Sequence, residues 1–204
     1  MKKLRYNYGN YTIPKDVFGG VCVDIGCNNG SFLLNNLNNF KKIHAYEPNT
    51  ELYHMLVAEY GKYNNISIYN NALSNIDDKR VVLVKNNFTD DDGSYGIYNE
   101  ERADIWNKNN IICEINSISI NTVLENIGGR IDYLKMDCEC GEYDGLLNKK
   151  IKDISYIGIE IHHQLGFDKY TELFDYISLT HVSDKPCNYT YDYNQEYLFK
   201  NKLI

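Results

Sequence analysis

The run Val21-Cys22-Val23-Asp24-Ile25-Gly26, followed by Cys27-Asn28-Asn29-Gly30 and then Ser31-Phe32-Leu33-Leu34, constrains this chain more than any other stretch. A short apolar, β-branched run punctuated by glycine reads as a buried strand, and the leucine-rich segment behind it, from about Ser31 to Asn39, reads as a helix. The same unit returns downstream. Ile43–Tyr46 is strand-like, Pro48 and Asn49 open a helix carrying Leu52, Met55, Leu56 and Tyr60 at 3–4 spacing, and Ile66–Tyr69 is a third strand. Alternation of this kind predicts an α/β fold, a mostly parallel sheet covered by helices on both faces.

The pattern changes after Asn75. Arg80–Lys85 alternates like a strand, residues 86–99 are polar and acidic, and Ile111–Ile120 is extended again, so residues from about 76 to 118 read as an insertion carrying a hairpin and a lid. The alternation then resumes with a helix near Ile120–Ile127, a strand at Ile131–Met136, a helix at Glu142–Asn148 and a strand at Tyr156–Ile161. A helix at Asp168–Tyr176 and two closing strands, Ile177–Val182 and Glu196–Lys200, bring the sheet to seven strands. At 204 residues, with no linker or repeat, residues 1–204 are expected to form a single domain.

Composition narrows the function classes. The formal charge is −7, with no basic stripe, which argues against a nucleic-acid partner. No stretch approaches the roughly 18 consecutive apolar residues of a membrane span. The N-terminal Met-Lys-Lys-Leu-Arg-Tyr has no apolar run behind it, so it does not read as a signal peptide, and an intracellular, cytoplasmic setting is expected. The cysteines at 22, 27, 113, 138, 140 and 187 show no metal-finger spacing and are read as free, mostly buried thiols.

The loop after Asp24 is placed to bind a ligand, because ligands in such sheets sit at the carboxyl ends of the strands, where glycine lets backbone approach closely. Gly26 and Gly30 are present, but Asn28 stands where a dinucleotide fingerprint needs its second glycine, and there is no third. A pyrophosphate requires that close approach and an adenosyl group without phosphates does not, so Asp24, Gly26, Cys27, Asn28 and Gly30 favour S-adenosylmethionine over NAD. Glu47 ends the second strand, where an acid can accept from both ribose hydroxyls, although it could equally cap the helix opened by Pro48. Asn71 and Ala72, with Leu73, follow the third strand where an adenine would lie.

A second group, Asp137, Glu139 and Glu142, stands at the end of the fourth core strand. Such a concentration of negative charge calls for a cation, a positive ligand centre or a proton. Glu142 alone is accounted for by the favourable field of a helix N-terminus. Alternation puts Glu160 and His162 on one side of the fifth strand, and Ile159, Ile161 and His163 on the other. Histidine titrates near neutrality, which suits removal of a hydroxyl proton.

Taken in order, Asp24–Gly30, Glu47-Pro48-Asn49, Asn71-Ala72-Leu73-Ser74, Leu134-Lys135-Met136-Asp137-Cys138-Glu139 with Glu142, and Ile159-Glu160-Ile161-His162 resemble the FkbM family of S-adenosylmethionine-dependent methyltransferases. Cys27 stands where that family favours alanine, and Cys140-Gly141 shifts a glycine by one place. The resemblance implies a class I methyltransferase (Rossmann-like) fold and O-methylation of a hydroxyl on a sugar or glycan, such as a deoxyhexose, or on a natural product. It places Gly26, Asn28, Glu47, Pro48, Asn71 and Ala72 at the cofactor. Asp137 would lie near its methionine end, with His162 as base assisted by Glu160. If Asp137, Glu160 and His162 converge, Mg²⁺ or Mn²⁺ could hold an acceptor diol there. Tyr95, Tyr98 and Trp106 are candidates to stack on a sugar, the acceptor entering over Asp90–Gly96, and the chain would be a module of a larger glycan-building protein. The rival readings are an NAD-dependent oxidoreductase, an adenosyl-binding regulatory module, and methylation of a protein or small metabolite.

Overall fold

In the computed structural model, which describes residues 11–86, 95–100, 106–190 and 194–204, the predicted alternation is realised. Val21–Ile25 (β1) leads through the glycine loop into Ser31–Asn36 (α1), then Lys42–Tyr46 (β2), Thr50–Tyr60 (α2) and Ile66–Tyr69 (β3). Asn49 caps α2, its side chain accepting from the Glu51 and Leu52 N–H groups, which explains why the helix starts immediately after Pro48. Ala72–Leu73 (β4), Arg80–Asn86 (β5), Tyr95–Ile97 (β6) and Trp106–Ile118 (β7) come next, followed by Ile120–Asn126 (α3), Ile131–Met136 (β8), Gly141–Leu146 (α4) and Ile154–Ile161 (β9). Phe167–Ser178 (α5), His181–Ser183 (β10) and Gln195–Asn201 (β11) complete the described chain.

Seven strands form the main sheet in the order β10-β11-β9-β8-β1-β2-β3. All pairings from β9 to β3 are parallel, and β11 runs antiparallel to both of its neighbours. The chain winds outward from β1 in one direction through β2 and β3, then returns to β8 and winds the other way. That reversal between β1 and β8 opens a crevice at the carboxyl ends of the strands, where ligands bind in sheets of this kind. One core lies on each face: Ile25, Leu134, Met136, Ile157 and Ile159 pack with α4 and α5 on one side, while Cys22, Ile43, Leu33 and Leu56 pack with α1 and α2 on the other.

The insertion forms a separate four-stranded sheet, β4-β7-β5-β6. It is tied to the main fold by the two-residue strand β4, whose Ala72 and Leu73 pair parallel with Ser117 and Ile118. Asp77 secures the return, accepting from the Ser119 N–H at 2.6 Å and from the Ser119 and Thr122 hydroxyls at the start of α3.

Two expectations are corrected. The segment Ile177–Val182 is not one strand, since Ile177 and Ser178 are the end of α5 and extended backbone begins only at His181. Ile177 belongs to the helical stripe Tyr170, Leu173, Phe174 and Ile177, buried against β11, and a stripe with 3–4 spacing outweighs a local alternation of apolar and polar residues. Likewise α1 ends at Asn36 rather than Asn39. The six cysteines are free, with Cys22, Cys27 and Cys140 buried. No helix among the described residues is long and apolar enough to cross a membrane.

Candidate active site

A single cavity runs along the carboxyl ends of β1, β2 and β8 and is roofed by the small sheet. Its first end is built mostly from backbone. Gly26 has φ 76°, and a Cβ there would lie 1.9 Å from the Asp137 carbonyl oxygen, so only glycine allows the β1 and β8 ends to meet. Asn28 holds φ 47°, a left-handed conformation that asparagine tolerates better than most residues. Its N–H donates to Glu47 Oε2 at 2.8 Å, and the Asn49 N–H donates to Oε1 at 2.9 Å. Glu47 is 4% exposed, and burial pushes its pKa up to about 7 against the pull of those two N–H groups. Each oxygen keeps a further lone pair for a ligand diol. Gly26, Cys27, Asn28, Glu47, Pro48, Asn71 and Ala72, expected at the cofactor, all line the cavity.

Asp24 and Gly30 do not. Asp24 is fully buried beneath the loop, 3.2 Å from Lys135 Nζ. The parallel register sets Asp24 beside Lys135, and Lys135 also donates to the Gly26 carbonyl at 2.7 Å. Burial favours the neutral amine, but Asp24 and then Asp137 outweigh it and hold the Lys135 pKa above the usual range. Lys135 is thus a buried cation that locks the glycine loop to β8, a role that sequence reasoning missed. The signal was a lysine and an aspartate near the ends of two strands that are mostly apolar. Gly30 packs where a side chain would strike Tyr60 and Leu56, and its carbonyl accepts from the Tyr60 hydroxyl at 3.2 Å.

The second end is built from charged side chains. Asp137, Glu139 and Glu160 line the cavity, and an Asp137 oxygen, a Glu160 oxygen and a ring nitrogen of His162 lie within 4.8 Å of one another. His162 itself is 1% exposed and stands behind them. Its Nδ1 is 2.9 Å from Glu142 Oε1, which also accepts the His162 backbone N–H, while Nε2 faces Glu139 Oε2 at 3.4 Å and Asp137 Oδ1 at 4.0 Å. Burial favours a neutral ring, yet Glu142 and Glu139 outweigh it and raise the His162 pKa well above the ordinary imidazole range. The two carboxylates therefore favour the protonated ring. Glu160 behaves differently: burial, then the nearby Asp137, push its pKa up to about 7.

Glu142 corrects the reading of a simple helix-terminal acid, because it is fully buried and serves as the main partner of His162. The displaced glycine is also resolved. Glu139 and Cys140 take left-handed conformations, φ 52° and 68°, at a cost of roughly 1–2 kcal/mol each, and Gly141 begins α4 close against Cys138. Tyr11, missed from sequence, lies beside this end, with its ring under Lys135 and its hydroxyl donating to the Met136 carbonyl at 3.5 Å, where burial and the charge of Asp137 raise its pKa. From the small sheet, Leu83, Tyr95 and Ile97 line the cavity. Tyr98 packs instead near Val82, Val84 and Leu165, His163 bonds Asn194 at 2.8 Å, and Asp90–Ser94 with the Trp106 side chain lie outside the described residues.

Comparison with known proteins agrees with this arrangement. The chain is similar in structure to the methyltransferase FkbM of Methylobacillus flagellatus KT, with TM-score 0.55 and 14% identity, over 88% of this chain and 42% of that one, so it spans less than half of that relative. It is also similar to an rRNA methylase of Streptococcus thermophilus, at TM-score 0.51 and 9% identity over 92% and 90% of the two chains. A Streptococcus mutans protein in complex with SAH gives TM-score 0.50 and 7% identity over 89% and 88%. These likenesses establish the class I methyltransferase fold. No curated protein matches the sequence. The Methyltransferase FkbM domain matches residues 24–193, most of the chain, and on that match the protein belongs to the FkbM methyltransferase family.

Proposed function

We propose that this chain transfers a methyl group from S-adenosylmethionine to a hydroxyl of a neutral sugar or glycan. The observation that carries the reading is a continuous cavity lined by Glu47 after β2 and by Glu160 near the end of β9. The adenosyl ribose would hydrogen-bond Glu47, the adenine would lie by Asn71–Leu73, and the sulfonium would face Asp137, whose charge complements it. NAD fits less well, since the loop with Asn28 offers no glycine for a pyrophosphate.

The sulfonium is already activated, so the protein has two tasks: alignment of the acceptor oxygen with the methyl–sulfur bond, and removal of its proton. As the oxygen–carbon bond forms, the carbon–sulfur bond breaks and its electron pair returns to sulfur as a thioether. The hydroxyl proton passes to Glu160, which faces the cavity and has a pKa near 7. His162 is not that base. Glu142 and Glu139 favour its protonated form while Nε2 faces Glu139, and it positions the carboxylates instead. Tyr95 supplies an aromatic surface for the apolar face of a sugar ring, while the acidic acceptor end disfavours a polyanion.

The test is incubation of the full chain with isotopically methyl-labelled S-adenosylmethionine and a panel of neutral oligosaccharides, amines and RNA, followed by mass spectrometry. Label on a sugar oxygen supports the reading. Label confined to nitrogen or RNA contradicts it.

A further inference from the structure

Asp137 follows β8, while Glu160 and His162 stand at the end of the neighbouring β9, so three donors from adjacent strands converge on one point of the cavity. The histidine is oriented from behind. Glu142 takes Nδ1 and the backbone N–H of His162, the Tyr143 hydroxyl donates to the His162 carbonyl, and Nε2 faces Glu139 Oε2 at 3.4 Å and Asp137 Oδ1 at 4.0 Å. A buried carboxylate on one ring nitrogen, with the other aimed at a pair of oxygens, is the arrangement that holds a metal-binding histidine in its tautomer.

We propose that Asp137, Glu160 and His162 bind one divalent cation, Mn²⁺ in preference to Mg²⁺, and that this ion receives two adjacent hydroxyls of the acceptor. The diol clause rests on the hydroxyl-methylation reading above, whereas the ion site does not. Octahedral ions hold oxygen ligands at about 2.1 Å, so opposite donors lie about 4.2 Å apart. At most one pair of three donors can be opposite and adjacent donors lie about 3 Å apart, so atoms now within 4.8 Å of one another must draw in by about 1 Å or more when the ion binds. One imidazole nitrogen among two carboxylates suits Mn²⁺ better than Mg²⁺, which favours oxygen throughout. The ion would displace the proton from Nε2 and take the place of Glu139 as its partner, so uptake releases a proton to solvent. Three protein ligands leave positions for two acceptor oxygens, and coordination makes a bound hydroxyl more acidic.

The experiment is titration of the full chain with Mn²⁺ alone, read by the loss of the free-ion electron paramagnetic resonance signal, with SAH binding measured on the same samples. The expected result is one site per chain, displaced by Mg²⁺ only at much higher concentration, and weakened about 10-fold or more in Asp137→Asn and in Glu142→Gln. Asp137 lines the cavity, so its variant keeps the fold when the buried Glu142 variant does not. Two results would overturn the site: no Mn²⁺ uptake by chain that binds SAH, or uptake unchanged by Asp137→Asn, which would mark scattered binding to an acidic protein. Mn²⁺ uptake without SAH binding would sustain the ion site and sink the methyl-transfer reading.

Discussion

The two ends of the cavity are made by different means. At the Glu47 end a carboxylate is fixed by two backbone N–H groups of the loop and the α2 N-terminus, elements close together in the chain. At the Glu160 end, residues from β8, β9 and α4 form a cluster of charges in which Glu142 and His162 are both fully enclosed. The first is a shape that backbone conformation dictates, and the second is an electrostatic balance that only long-range packing assembles. Damage to the first should therefore weaken binding, and damage to the second should cost catalysis or the fold itself.

The largest expected effect is on turnover. Glu160→Gln keeps the shape and removes the base, so kcat should fall by about 100-fold or more while SAH affinity holds. Steady-state kinetics beside calorimetry would show this, and an equal loss of both would erase the distinction between the ends. Glu142→Ala leaves the His162 imidazolium buried without its main partner and should cost about 3–5 kcal/mol of unfolding free energy, measurable in denaturant. Glu47→Ala removes a charged acceptor worth about 1.5–3 kcal/mol, so SAH should bind roughly 10- to 100-fold more weakly, with kcat at saturating cofactor little changed. A pH series sharpens the contrast. Both Glu47 and Glu160 have pKa values raised to about 7, so both are ionised above that pH and protonated below it. SAH affinity and kcat should each decline as pH falls through about 7, with Glu47→Gln flattening the first profile and Glu160→Gln the second. The smallest effect is reserved for the edge of the small sheet. Arg80 and Glu114 pair at 3.4 Å with both side chains more than half exposed, and Arg80→Ala should shift stability by less than about 1 kcal/mol.

What could be read from the sequence follows the same division. The glycine loop, Glu47 and the acid after β8 were legible because each is announced locally, by an apolar strand that stops at a glycine or a carboxylate. The Asp137–Glu160–His162 grouping was legible from alternation, since Glu160 and His162 share a side of the strand path. The protonation of His162 was not, because it depends on Glu142, twenty residues earlier in the chain, turning inward from α4. Nor was the pairing of Ala72–Leu73 with Ser117–Ile118, which joins two segments about 45 residues apart with no mark in either. The misplacement at Ile177 arose where a helix end happens to alternate like a strand.

The most direct measurement is calorimetric titration of the folded chain with SAH and, separately, with NAD. The account predicts a single SAH site with no detectable NAD binding, and a roughly 10- to 100-fold weakening of that site in Glu47→Ala. NAD binding, or a folded chain indifferent to SAH, would contradict it.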